Sequence, residues 1–264
     1  MSLLLRIETR GSANRLPGTA IEFCGPVVIA VGPDPEQPIA ARLAGSASAR
    51  EIETARARMV ALGVPERFEW IEELRPSQGT AFQDLVVRRH PLLVLGSLCP
   101  RPDRPRITIE RVGADSPDDL AAAASAVAAI AFSYTDEQAR PADGTEVELA
   151  TALLSRPAEL ARTRAGLREE GTSLWLARLD GAAAASARTI PDEGVAEIVG
   201  VGTVAAYRGK GLATAVTWHA ANAALADGAD MVFLSAEDET SAKLYARLGF
   251  NRVGTLCVAE PPTS

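Results

Sequence analysis

The chain has 264 residues, of which 47% are hydrophobic and 23% charged, and it carries a formal net charge of −7. That length suits one large domain or two modest ones. The acidic balance excludes a protein whose main task is to neutralise nucleic-acid phosphates, although not a local positive site.

The apolar run at Leu3–Leu5 is too short for a signal peptide. Nowhere does an uncharged apolar stretch reach the roughly eighteen residues of a membrane span. Cys24, Cys99 and Cys257 lie far apart without metal-ligand spacing. The expectation is a cytoplasmic protein with no metal, no membrane segment and no nucleic-acid partner, its cysteines behaving as small buried hydrophobes.

In chain order, Pro26–Val31 reads as a strand and Ala47–Leu62 as a helix stopped by Gly63. Arg67–Glu72 is a strand around Phe68 and Trp70, Pro76–Arg89 a helix, and Leu92–Leu95 a strand. Pro100-Arg101-Pro102-Asp103-Arg104-Pro105 can continue neither a helix nor a central strand. This places a boundary between an N-terminal α/β half at 1–100 and a second domain at 106–258.

The second domain opens with an alternating strand, Arg106–Val112. Ser116 then reads as a helix N-cap, with Pro117 in the first turn and a helix running to Ala131. A further helix spans Glu146–Ala165, interrupted near Pro157. Ser173–Leu179 and Ala182–Ile190 form a hairpin about Asp180-Gly181. Pro191-Asp192-Glu193-Gly194 turns into a third strand, Val195–Val204.

The helix after that strand carries Leu212, Val216, His219, Ala223 and Ala226 on its apolar face and ends near Asp227-Gly228. Strand Met231–Ser235, helix Thr240–Leu248 closed by Gly249, and strand Asn251–Val258 complete the order. His219, Trp70 and Trp175 read as packed residues and His90 as exposed. The strand–helix alternation of the first half echoes that from Val195 onward, which leaves open an internal duplication of half a domain.

The most informative stretch is the strand ending at Val204, followed by Arg208-Gly209-Lys210-Gly211-Leu212-Ala213-Thr214 at the start of a helix. Glycines admit a ligand close to the backbone, a helix N-terminus offers unpaired amides, and Arg208 and Lys210 add charge. Together they suit a diphosphate. A P-loop requires Ser or Thr after its lysine, and Gly211 stands there. The dinucleotide fingerprint fails as well, because Ala213 and Thr214 follow Gly211 and no acidic residue ends a neighbouring strand.

The segment resembles the GNAT superfamily of N-acetyltransferases, whose Arg/Gln-x-x-Gly-x-Gly/Ala motif is matched by Arg208, Gly211 and Ala213. Leu244-Tyr245-Ala246-Arg247-Leu248-Gly249-Phe250 resembles the family's second motif downstream. The resemblance covers about Arg106–Val258. It implies a mixed α/β fold: a GNAT-type mixed sheet flanked by helices, here preceded by a smaller, degenerate GNAT-like half.

The resemblance also implies acetyl-CoA as cofactor, held where Val195–Val204 and Met231–Ser235 splay apart. Backbone groups at Val201 and Thr203 would bind the pantetheine arm, and Arg208, Gly209, Lys210, Gly211, Leu212, Ala213 and Thr214 the diphosphate. The reaction would be direct attack by the amine of a small molecule or peptide, with Tyr245 as general acid and Glu197 as base, in a monomer or homodimer.

Glu239 departs from the family by standing where relatives carry Asn. Its acidic run, Glu237-Asp238-Glu239, faces either an amine or solvent at a helix cap. Gly32-Pro33-Asp34-Pro35-Glu36-Gln37-Pro38 offers few amides and two acids, so the first half is expected to bind no acetyl-CoA and to wall the acceptor pocket, with Phe132–Arg140 and the 190s turn as further walls. A non-catalytic acetyl-CoA-binding sensor or interaction module and an unrelated nucleotide-binding α/β protein remain alternatives.

Overall fold

The computed structural model describes residues 2–10, 20–32, 39–132, 144–169 and 172–262. In chain order the elements are α1 Leu3–Arg10, β1 Ala20–Cys24, β2 Val27–Val31, β3 Ala41–Leu43, α2 Ala49–Leu62, β4 Phe68–Ile71, β5 Val86–Leu95, β6 Ile107–Val112, α3 Asp118–Phe132, α4 Gly144–Leu154, α5 Pro157–Glu169, β7 Ser173–Leu179, β8 Ala182–Asp192, β9 Val195–Thr203, α6 Leu212–Ala226, β10 Met231–Ser235, α7 Glu239–Ala246 and β11 Phe250–Glu260. Two compact units result: Met1–Val94 with Ser235–Lys243 and Asn251–Ser264, and Leu95–Leu234 with Leu244–Phe250. The residues after Phe250, read from the sequence as the last strand of the second domain, thus sit with the first unit.

In the first unit the strand order is β1-β2-β3-β4-β11-β5. β3 and β4 run parallel, joined through α2, and β4 pairs antiparallel with β11 from Ile71↔Leu256 to Phe68↔Ala259. Ser48 and Glu51 form a reciprocal capping box at the start of α2, and Gly63 closes it at φ +66°. Ile52, Ala55 and Met59 of α2 pack on Val27, Ile29, Leu43, Phe68, Trp70 and the β11 residues Cys257 and Ala259. A buried ion pair, Arg75 with Glu8, docks α1, and Arg42 donates to the Glu8 carbonyl at 2.6 Å.

The Pro76–Arg89 helix read from the sequence is not formed. A 3-10 turn covers Gln78–Ala81 and β5 begins at Val86. Phe82 stacks on Trp70 with ring centroids 5.1 Å apart, and the Gln78 amide bonds the Ala47 backbone in both directions, at 2.8 and 3.0 Å. These distant contacts fix a segment whose local preference is weak: Gly79 interrupts it and β-branched Val86-Val87 favours a strand. Strand β1, not anticipated from the sequence, is mostly exposed and is defined by its antiparallel register with β2.

In the second unit the order is β10-β9-β8-β7-β6. β6 through β9 are antiparallel neighbours, and β9 pairs parallel with β10. Both faces of this sheet are covered, as the run of buried residues Ser173–Ala177 along β7 shows. The alanine face of α3 packs with Val112, Leu174, Leu176 and Val204, the short side chains allowing close approach.

The helix starts at Asp118, while the Ser116 hydroxyl accepts from the Gly113 amide and so serves the preceding turn. Arg164 of α5 ties down that turn through the Ala114 and Ser116 carbonyls and Asp118. Asp180 and Gly181, at φ +50° and +87°, form the anticipated hairpin turn. The next turn is confined to Glu193-Gly194, because Pro191 and Asp192 continue β8.

The buried face of α6 is Leu212, Ala215, Val216, Thr217, Ala220, Ala221 and Ala224. Ala226, expected on that face, is exposed, and His219 and Ala223 are half-buried. So alanine-rich a helix is apolar all round, and periodicity cannot orient it. Among the described residues no helix is long and apolar enough to cross a membrane, and no cluster of His, Cys, Asp and Glu could hold a metal.

Candidate acyl-donor site

The parallel ladder between β9 and β10 covers Val195↔Met231, Ala196↔Val232 and Glu197↔Phe233, and ends there. Beyond it β9 continues to Thr203, paired with β8. That pairing shifts between Ser186↔Gly202 and Arg188↔Val199, so Gly200 and Val201 bulge opposite Ala187. Gly200 takes φ +59° at the bulge. A bulge bends its strand and redirects backbone groups, here on a stretch that has left the β10 ladder.

Gly202 lies in the same stretch. A Cβ there would stand 2.7 Å from Ala131 Cβ and 3.1 Å from the Phe132 ring. Only glycine lets the end of α3 approach β9 so closely. Val201 and Thr203 are half-buried beside it. Phe132 is 61% exposed; residues 133–140 of the anticipated acceptor wall lie outside the described residues.

After Thr203 a 3-10 turn, Ala205–Tyr207, leads into the glycine loop. Gly211 is the N-cap of α6 at φ +83° and offers no side-chain acceptor to the first turn. The helical ladder begins with Ala215 donating to the Gly211 carbonyl at 3.0 Å. The amides of Leu212, Ala213 and Thr214 precede that bond and have no intrahelical acceptor. With the positive end of the helix dipole behind them, they suit an anion.

Arg208 and Lys210 are exposed at the rim. Arg208 Nε donates to the Thr203 carbonyl at 3.3 Å, while Lys210 Nζ donates to the Ala206 carbonyl at 3.3 Å and lies 5.2 Å from the centre of the Tyr207 ring.

Glu197 sits half-buried at the last β9 position paired with β10, where the two strands begin to part. Tyr245 belongs to the same unit and is 8% exposed, packed edge-on against Phe250 at 6.2 Å. Burial pushes its pKa up to about 12, which keeps the phenol neutral and able to donate at physiological pH. Among the described residues no group hydrogen-bonds its hydroxyl, so the structure does not join Tyr245 to Glu197 directly.

The acidic run resolves into structural roles. Asp238 caps α7 by accepting from Ser241 N–H at 2.7 Å, and Glu239 pairs with Arg252 at 2.6 Å. His219 is half-buried, its pKa held below the usual value by burial and then by Arg101. His90 is half-buried with Nδ1 3.1 Å from the Glu237 carbonyl, not exposed as read from the sequence. Cys257 is buried, whereas Cys24 and Cys99 are only partly so.

One cation escaped the sequence reading. Arg104, in the proline-rich segment, lies against Gly211, with its Nε 2.9 Å from where a Cβ on that glycine would be. No local signal reports this, because more than a hundred positions separate the two residues in the chain.

Residues 134–250 match the model of the Acetyltransferase (GNAT) family. No curated protein matches the chain. Among solved structures, a GCN5-related N-acetyltransferase from Kribbella flavida is 22% identical at a TM-score of 0.73, over 100% of this chain and 97% of that one. A functionally unknown conserved protein from Staphylococcus epidermidis ATCC 12228 is 13% identical at 0.58, over 96% and 98%. A tandem GNAT protein from the clavulanic acid biosynthesis pathway is 15% identical at 0.53, over 98% and 88%. At these identities the likeness is one of fold. The family match spans the end of the β9–β10 ladder, the glycine loop and the helix that bears Tyr245, and it is to the Acetyltransferase (GNAT) family that this stretch of the chain is similar.

Proposed function

We propose that the second unit is an acetyl-CoA-dependent N-acetyltransferase that modifies an amine of a small molecule or peptide. The observation that carries this reading is the capless glycine loop at the end of a strand that has parted from its parallel neighbour. The amides from Gly209 to Thr214 would hold the diphosphate, with Arg208 and Lys210 at its rim. Backbone groups at Val201 and Thr203 would hold the pantetheine arm. When bound, acetyl-CoA supplies the acetyl group that passes directly to the acceptor amine.

The protein's own groups would then position and move protons. An amine is protonated in water and must lose a proton before it attacks. Glu197, where the strands part, is suited to accept that proton directly or through water. Tyr245, neutral and desolvated, is suited to give its hydroxyl proton to the leaving thiolate. The first unit has no glycine loop of this kind in its sequence, and we assign acetyl-CoA binding to the second unit alone; residues 33–38, the corresponding segment, lie outside the described residues.

Two measurements test the proposal. Acetyl-CoA should raise the melting temperature in a concentration-dependent way, whereas ATP and NAD at equal concentration should not. A panel of primary amines with acetyl-CoA should release free thiol in step with acetylated product. Stabilisation by ATP or NAD alone, or thiol release independent of any amine, would count against it.

A further inference from the structure

The loop is served by more cations than the motif supplies. Arg104 rests on Gly211 at the mouth of α6, with Nε 2.9 Å and Nη2 3.7 Å from the position a Cβ would take. Its Nη1 donates to the neighbouring Asp103 carbonyl at 3.0 Å. No carboxylate pairs with it among the described residues. It is exposed, so its charge is available to a ligand at the loop.

The surrounding chain fixes Arg104 there. Pro105 restricts the preceding residue to extended conformations, and Ile107 N–H donates to the Arg104 carbonyl at 2.9 Å. Arg106, two residues on, forms a two-point ion pair with Asp180 at the hairpin turn, and Asp180 N–H donates to the Arg106 carbonyl at 3.0 Å. Asp180 is thereby held chiefly by Arg106, with a smaller Coulombic attraction from Lys210 and no ion pair to Arg104 among the described residues. Arg104, Arg208 and Lys210 thus converge on one turn in a chain whose overall balance is −7.

We propose that Arg104 is a clamp for a diphosphate oxygen of coenzyme A, delivered to the glycine loop from a segment distant in sequence. The inference rests on the reading of the loop as a coenzyme A site. Guanidinium suits the role: it stays charged, is weakly hydrated and donates in a fork that matches phosphate geometry. Contact with Gly211, whose carbonyl begins the helix ladder, points to the diphosphate rather than to the 3′-phosphate of the ribose.

The test compares the full-length protein with its Arg104→Gln variant by titration calorimetry, using coenzyme A and dephospho-coenzyme A, at low and moderate salt. The variant should melt at the wild-type temperature without ligand and bind both ligands about tenfold more weakly, with a shallower salt dependence. Unchanged affinity of the variant overturns the clamp while leaving the loop reading intact. A loss seen with coenzyme A but not with dephospho-coenzyme A overturns the diphosphate assignment. Failure of the wild-type protein to bind either ligand overturns the loop reading, and the clamp falls with it.

Discussion

Tyr245 concentrates the chemistry that one residue can contribute. Its burial keeps the proton on the phenol, the form a general acid needs, and Tyr245→Phe removes the proton while keeping the ring against Phe250. On the proposed mechanism that variant should lose about a hundredfold in kcat at pH 7, the low end of a general acid's usual contribution, with coenzyme A affinity unchanged; steady-state kinetics beside calorimetry separates the two. The same burial has a consequence for stability. A pKa raised from 10.0 to about 12 means that the native state holds this proton more tightly than the unfolded chain. The contribution is complete below pH 10 and is lost as pH rises toward 12. Urea denaturation from pH 9 to 11 should therefore cost the wild type about 1 kcal/mol more than Tyr245→Phe, and parallel curves would refute that. The residue was legible in the sequence through the motif around it, but its 8% exposure follows from packing that no motif encodes.

At the scale of elements, the site depends on β9 being bulged, freed from β10 and pressed on by α3. Gly202→Ala places a methyl 2.7 Å from Ala131 Cβ, and the contact is between backbone-anchored atoms that cannot swing aside. Denaturant melts should show a loss of about 1–3 kcal/mol, with weaker coenzyme A binding as β9 is displaced. In the first unit, α1 is held by the Arg75–Glu8 pair, both side chains 7% exposed. Glu8→Gln leaves a buried guanidinium without its counter-charge and should cost about 3–5 kcal/mol, read as a lowered denaturation midpoint; a shift below 1 kcal/mol would show that the pair is dispensable. Strand–loop–helix around Gly211 could be read from residues because glycine, charge and helix start are local signals. The bulge could not, because it exists only in the register of β8 against β9.

For the molecule as a whole, the proline-rich segment at 100–105 suggested that the chain could be cut there. β11 makes that cut damaging. Its residues Leu256–Ala259 pair with Ile71–Phe68, and Cys257 and Ala259 lie in the core with Phe68 and Trp70. A fragment beginning at Arg106 would retain β11 but lose β4, exposing an apolar strand with unmet backbone groups. It should aggregate when expressed alone, as size-exclusion chromatography with light scattering would show. A monomeric, cooperatively melting fragment would show that β11 folds without the first unit. The sequence-level echo between the halves weakens accordingly: a 3-10 turn and β5 stand where the echo required a helix.

The sequence by itself determined most of the alternation of strands and helices, the Asp180-Gly181 hairpin, the end of α2 at Gly63, the extent of α6 and the glycine loop before it, because each is written in neighbouring residues through turn chemistry, capping or side-chain period. Only the tertiary structure decided which unit β11 joins, that Gln78 and Phe82 hold residues 76–89 out of a helix, which face of alanine-rich α6 is buried, and that Arg104 meets Gly211. Those outcomes rest on contacts between residues far apart in the chain, where local propensity is too weak or too uniform to choose and the energy of packing makes the choice.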